Sequence, residues 1–169
     1  MSLFAIQLAS AAGARTIVTS SSGEKLQRAI KLGATHGVNR TIRPDWQNPV
    51  LELTEGRGAD HILEMAGGDN LARSLQAILP GGYIWMIGLL GAEHFAAPIL
   101  SLLASRASIV GISSGHRRAL EDLVRVVDAK SIKPVIDASY SFDRVPEAFA
   151  HLRRGAFGKI VVEVAEFES

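Results

Sequence analysis

Short runs of β-branched and apolar residues alternate with helix-length segments along almost the whole chain, and this alternation restricts the fold more than any other feature. Thr16-Ile17-Val18-Thr19 reads as a buried strand, Ser20-Ser21-Ser22-Gly23 as the turn that leaves it, and residues 24–32 as a helix closed by Gly33. The unit recurs with a strand at 36–39, a helix at 45–55, a strand at 60–65 and a helix at 70–79. Pro80-Gly81-Gly82 reads as a tight turn into a strand at 83–87, and a further strand at 108–112 precedes a helix at 118–130. Strands separated by helices cannot pair through hairpins, so they lie parallel and are joined by right-handed crossovers. The expectation is an α/β fold with a doubly wound parallel sheet. The last part differs: residues 133–142 look extended, 145–154 helical and 159–164 a hydrophobic strand.

The opening is unusual. Leu3, Ile6 and Leu8 fall at helical spacing and Gly13 ends the run, so the chain begins inside a helix with no strand or capped entry before it. Missing sequence upstream is the expectation. Lysine plus arginine (18) nearly balances aspartate plus glutamate (17), which gives no electrostatic footprint for nucleic acid or an acidic membrane surface and points to a small-molecule partner. With no cysteine, disulfides and thiolate chemistry are excluded, and with no signal-like or spanning apolar run the cytoplasm is the expected compartment.

In an open doubly wound sheet, ligands settle beyond the carboxyl ends of the strands. Here those ends are Ser20-Ser21-Ser22, Asn39-Arg40, Met65-Ala66-Gly67-Gly68, Gly88-Leu89-Leu90-Gly91 and Ser113-Ser114-Gly115. Small residues there let a flat or extended ligand approach the backbone, although glycine and serine also simply build turns. The first crossover is the most specific. A dinucleotide site that holds the ribose diol of NAD carries an acidic residue after its second strand, and this chain carries serines. Lys25, Arg28 and Arg40 supply up to three cations for a 2′-phosphate, which favours NADP(H) over NAD(H); alternatively, Lys25 and Arg28 are solvated helix-surface charges.

Other chemistry finds little support. His36, His61, His94, His116 and His151 show no metal-ligand spacing. Asp60 and Glu64 have no second carboxylate placed to make an acid–base pair and read as structural. No serine–histidine–aspartate arrangement announces itself around Ser113, Ser114 and His116, which speaks against a hydrolase.

A run of fragments, weak singly but specific in this order, carries a resemblance. They are Ser2-Leu3-Phe4-Ala5-Ile6-Gln7-Leu8-Ala9, Ala12-Gly13-Ala14, Thr19-Ser20-Ser21-Ser22, Glu24-Lys25-Leu26, Leu32-Gly33-Ala34, Gly56-Arg57-Gly58-Ala59-Asp60, Leu79-Pro80-Gly81-Gly82 and Gly158-Lys159, with Ala148-Phe149-Ala150-His151-Leu152 ahead of the last. Together they resemble the cofactor half of zinc-type medium-chain alcohol dehydrogenases and quinone oxidoreductases. The resemblance implies a Rossmann-like sheet and hydride transfer between a nicotinamide cofactor and a carbonyl, alcohol or quinone-like substrate. It implies that Ser20, Ser21 and Lys25 meet the 2′-phosphate, that Met65, Ala66, Gly67, Gly88, Leu89, Ser113 and Ser114 approach the ribose and nicotinamide, and that Lys159 lies near the pyrophosphate. Arg40 stands where the family commonly has tyrosine, which leaves its role open.

The departures matter equally. The family's glycine-rich fingerprint and its first, central strand would precede Ser2, and the domain with zinc ligands and substrate pocket would precede those. The expectation is therefore an N-terminally truncated dinucleotide-binding domain over residues 1–132, a segment over 133–169 that packs on the absent domain in the family, no catalytic or metal residue of its own, and any zinc confined to that other domain. Unpaired edges at the missing strand suggest a homo-oligomer, through edge pairing or strand exchange. Two other readings compete: a non-catalytic Rossmann-like binding or assembly module, and an S-adenosylmethionine-dependent methyltransferase, for which Leu79-Pro80-Gly81-Gly82-Tyr83-Ile84 is suggestive but the serines after the second strand are wrong.

Overall fold

A computed structural model describes residues 1–88, 90 and 92–164. After helix α1 (Ser2–Ala11), strand β1 (Ile17–Ser20), helix α2 (Gly23–Lys31) and strand β2 (His36–Asn39) form the first crossover. β1 and β2 pair in parallel, from Ile17 opposite His36 to Ser20 opposite Asn39. The Ser22 hydroxyl accepts the Lys25 amide at 3.3 Å, which caps α2 and fixes the turn that leaves β1.

Helix α3 (Gln47–Leu53) leads to β3 (Ala59–Glu64), and α4 (Asn70–Ala77) and α5 (Ile99–Ser105) link β3 to β4 (Ile78–Met86) and β4 to β5 (Ser108–Gly111). The three strands make a parallel sheet in the order β3-β4-β5. Helix α6 (Arg117–Ala129) follows, and β6 (Ile136–Ser141) and β7 (Lys159–Glu163), with α7 (Val145–Arg153) between them, form a further parallel pair. Every ladder is parallel, as the strand–helix alternation requires. Among the described residues β1 pairs only with β2 and β3 only with β4.

Two local readings are corrected. Pro80-Gly81-Gly82 does not precede its strand but lies within β4, whose register with β3 jumps between Ala59↔Ile78 and His61↔Tyr83. The turn chemistry is real, with Gly81 at φ +85, but both flanks of the turn pair with β3. α5 was not anticipated: Ile99 and Leu100 are exposed on a helix of 7 residues, too short and too uniformly apolar to show a period.

The core falls into patches around the strands. Leu71, Leu75, Ile78 and Ile84 pack between α4 and the three-stranded sheet, Val38, Trp46, Val50 and Ala77 fill the space towards β2, and Ile6, Ala29 and Ala34 join α1 to α2. Burial of Leu71 and Ile84, which are essentially inaccessible, stabilises by about 2 kcal/mol each. The C-terminal segment is held to α2 by polar contacts. Asp137 on β6 accepts from Arg28 Nη2 at 2.7 Å and from the Phe157 amide at 3.0 Å, the Arg28 guanidinium lies 4.0 Å from the Phe157 ring centre, and Lys25 Nζ donates to the Gly155 carbonyl. By contrast α6 buries no residue, and Leu120, Leu123 and Val124 form an exposed apolar stripe on it.

Candidate functional site

Two cavities lie at strand ends, the first between the carboxyl end of β1 and the amino ends of β6 and β7, the second beyond the carboxyl ends of β3, β4 and β5. The first, about 260 Å³, is lined by Ser2 and Phe4 at the start of α1, Ser20 at the end of β1, Lys25 on α2, and Phe157 and Lys159 at the start of β7. Among the described residues no aspartate or glutamate lines it. The start of α1 contributes amides that its own helix cannot satisfy, together with the positive end of the helix dipole, so the walls offer lysine cations, peptide donors and a serine hydroxyl. That combination suits an anion.

The second cavity, also about 260 Å³, is lined by Gly67, Met86, Gly88, His94, Phe95 and Ile112. It forms because the segment after β4 folds back on the β3–α4 turn: the Gly68 amide donates to the His94 carbonyl at 3.0 Å, and Gly68 bridges Phe95 in parallel. Glycine is required at the closest approaches. A Cβ on Gly88 would lie 3.1 Å from the Met65 carbonyl oxygen, and Gly67 sits at φ +72. The Leu90 amide donates to that same Met65 carbonyl at 3.0 Å, while the Ser2 hydroxyl donates to Met65 Sδ at 3.8 Å. Met65 thus stands between the two cavities.

The β3–α4 turn is built around Glu64, which is 2 % exposed. Its Oε1 accepts the amides of Ala66 at 2.9 Å and Gly67 at 3.3 Å, and its Oε2 accepts Asn70 Nδ2 at 2.7 Å and the Ser74 hydroxyl at 2.6 Å. Asn70 Oδ1 in turn accepts Trp46 Nε1 at 3.1 Å. Four donors satisfy the carboxylate, which is how a buried charge is tolerated with no cation among its hydrogen-bonding partners.

Of the residues expected from the sequence, Ser20, Lys25 and Lys159 come together in the first cavity and Gly67 and Gly88 in the second, while Met65 and Ala66 belong to the adjoining β3–α4 turn and line neither. Arg40 and Ser21 lie at the β1 and β2 ends but line neither cavity; the Arg40 amide donates to the Ser20 carbonyl and the Ser21 carbonyl accepts from the Thr41 hydroxyl. Ser113 and Ser114 are exposed beyond β5 and also line neither cavity. Leu89 lies outside the described residues. Arg28, read as a third phosphate cation, is engaged instead by Asp137, and that ion pair holds the Asp137 carboxyl below the usual carboxylate range, with the Phe157 amide adding to the effect.

Sequence reasoning missed Ser2, Phe157, His94 and Phe95. Phe157 could have been found as a neighbour of Lys159, whereas His94 and Phe95 join the site only through the fold-back onto Gly68, which no local pattern announces. Asp60 forms a bidentate surface pair with Arg57, at 2.8 and 2.6 Å, and is held below its ordinary value mainly by that pair. Among the described residues no group of three or more histidines and carboxylates is placed to hold a metal, and the sequence has no cysteine, so the described side chains do not fit a zinc ion. No described helix is long and apolar enough to cross a membrane.

Comparison with known proteins agrees with this architecture. Among curated relatives, the zinc-type alcohol dehydrogenase-like protein C1773.06c of Schizosaccharomyces pombe is 38% identical over 97% of this chain and 49% of its own length. A solved Sinorhizobium meliloti 1021 protein, assigned by its name to the alcohol dehydrogenases, superposes with a TM-score of 0.89 at 56% identity over 96% of this chain and 47% of that one. A crystal structure of an NAD-dependent alcohol dehydrogenase gives a TM-score of 0.87 at 33% identity over 97% and 48% of the two chains. This chain therefore spans about half the length of the relatives it matches. The model of one family, described as zinc-binding dehydrogenase, matches residues 1–129, and on that extent of agreement the chain belongs to the zinc-binding dehydrogenase family.

Proposed function

We propose that this chain is the cofactor-binding part of an oxidoreductase that uses NADP(H) to move hydride to or from a carbonyl, alcohol or quinone-like substrate. The observation that carries the reading is the first cavity, where Ser20, Lys25 and Lys159 converge with no carboxylate among the described residues of the lining. A ribose diol is held by an acidic acceptor, whereas a 2′-phosphate is held by cations and hydroxyls. Lys25 meets only a carbonyl oxygen at present, and a phosphate is the stronger acceptor. Arg40, at the end of β2, adds positive charge beside Ser20 and Ser21.

Bound in this way, the nicotinamide supplies the hydride; the chain's own residues bind and orient it. Lys159 and the start of α1 would neutralise the pyrophosphate. Gly67 and Gly88 leave room for the ribose and nicotinamide along the second cavity, and Met65, Ala66, Ser113 and Ser114 are assigned to approach them from the adjoining strand ends. The open edges of β1 and β3 and the apolar stripe of α6 support a homo-oligomer formed by edge pairing or strand exchange, and the proposed compartment is the cytoplasm. A non-catalytic Rossmann-like binding or assembly module is the second reading.

Calorimetric titration with NADPH, NADH and S-adenosylmethionine tests these readings. NADPH is expected to bind at least about tenfold more tightly than NADH, a difference of about 1.4 kcal/mol, and Lys25→Ala to abolish the difference. Equal or tighter binding of NADH refutes the NADP(H) assignment, and S-adenosylmethionine as the sole ligand refutes the oxidoreductase. Light scattering should give a mass above that of one chain; a monodisperse monomer rules out the oligomer.

A further inference from the structure

We infer that Glu64 is a positioning residue whose buried carboxylate clamps the Met65–Ala66–Gly67 turn into the shape that forms one wall of the second cavity. The inference rests on the cofactor reading for its functional consequence, but the clamp itself stands on the hydrogen bonds.

A carboxylate taken out of water is retained without penalty only where its acceptor sites are filled, and here all four donors come from the turn or from the helix that follows it. Two are backbone amides of the turn, and one of them belongs to Gly67, which lines the cavity, so the carboxylate sets the direction of the main chain there, not merely the packing beneath it. The carbonyl of the intervening Met65 is thereby turned outward, where it accepts the Leu90 amide at 3.0 Å and approaches the position a Gly88 side chain would occupy. One buried side chain thus joins both walls of the cavity.

Only a carboxylate fits these partners. A glutamine amide would direct its NH₂ either at the amides of Ala66 and Gly67 or at the Asn70 and Ser74 donors. The Ser74 hydroxyl can rotate to accept, but Asn70 cannot turn over, because its Oδ1 is engaged by the Trp46 indole N–H, so the clash falls on Asn70. Glu64→Gln therefore keeps the volume and sets donor against donor.

The test pairs a readout that needs no cofactor with one that does. In Glu64→Gln, NMR-detected hydrogen exchange at the Ala66 and Gly67 amides should accelerate at least about tenfold, while exchange at Ile84 in the core strand stays as in the wild type. NADPH affinity should fall about tenfold, while the affinity for adenosine 2′,5′-bisphosphate, which reaches only the first cavity, stays unchanged. Unaltered exchange at Ala66 and Gly67 overturns the clamp, and equal weakening of both ligands overturns the local positioning role. Should wild-type protein bind neither ligand, the cofactor reading fails and the exchange rates still decide the clamp. If Glu64→Gln does not fold, Ser74→Ala, which leaves Oε2 with Asn70 alone, must show the same pattern at smaller amplitude; a uniform rise in exchange over the whole core overturns the proposal.

Discussion

Gly58→Ala is expected to lower the unfolding free energy by about 3 kcal/mol, one of the largest effects available from adding a single methyl group to this protein. Gly58 sits at φ +86, a left-handed conformation that alanine adopts only at a penalty of about 1 kcal/mol. The added Cβ would also lie 2.7 Å from both the Ile78 carbonyl carbon and the Leu79 amide nitrogen. Those are backbone atoms at the first β3–β4 pairing, so no rotamer change relieves the contact. Gly81→Ala separates the two contributions, since Gly81 shares the conformation at φ +85 but an added Cβ there meets nothing within 4 Å. It should lose only about 1 kcal/mol. Urea denaturation of both variants checks the pair; a Gly58→Ala loss no greater than that of Gly81→Ala would show that the contact is relieved by strand movement.

Gly58 also shows why sequence reading succeeded where it did. Gly56-Arg57-Gly58 marks the entry to β3 because glycines at positive φ leave a local trace, and the β-branched runs of β1, β3, β4 and β5 with the polar-faced helices between them do the same. The parallel architecture was therefore legible from the pattern of elements alone. So was the place of Ser20, Gly67 and Gly88 at the strand ends, because position at a strand end is itself a local property.

What stayed hidden depends on contacts between distant segments. Arg28 was expected to face a phosphate, yet its partner Asp137 lies 109 positions away, and no local pattern marks that pairing. The fold-back of His94 and Phe95 onto Gly68 and the collection of four donors around Glu64 are likewise tertiary facts. Glu64 reads as structural in the sequence because it has no partner carboxylate. Its role at the cavity wall emerges only when the two amides that it accepts are seen to be those of Ala66 and Gly67.

The contact that displaced Arg28 from its expected role makes the second large prediction. At neutral pH, Asp137→Asn should destabilise the docking of the β6–β7 pair on α2 by about 2 kcal/mol, because Asp137 is mostly buried and accepts charge-assisted hydrogen bonds from Arg28 and the Phe157 amide. The figure is kept low because the Arg28 side chain is 38% exposed and solvent weakens its attraction. The charged and titratable neighbours are Arg28 on α2, His151 on α7, whose Nε2 lies 3.5 Å from Asp137 Oδ2, and Tyr140 on β6, whose hydroxyl is 3.0 Å from His151 Nδ1. Arg28 is the main cause of a folded-state pKa for Asp137 below its value in the unfolded chain, so the folded state binds the proton more weakly than the unfolded one. The resulting stability is fully present above the unfolded value and is lost as pH falls through the folded one. The gap between wild type and Asp137→Asn should therefore be widest near about pH 7 and close towards about pH 2. Unfolding free energies for both proteins across that range provide the measurement, and a gap that stays constant or widens on acidification contradicts the assignment of the lowered pKa to the Arg28 contact.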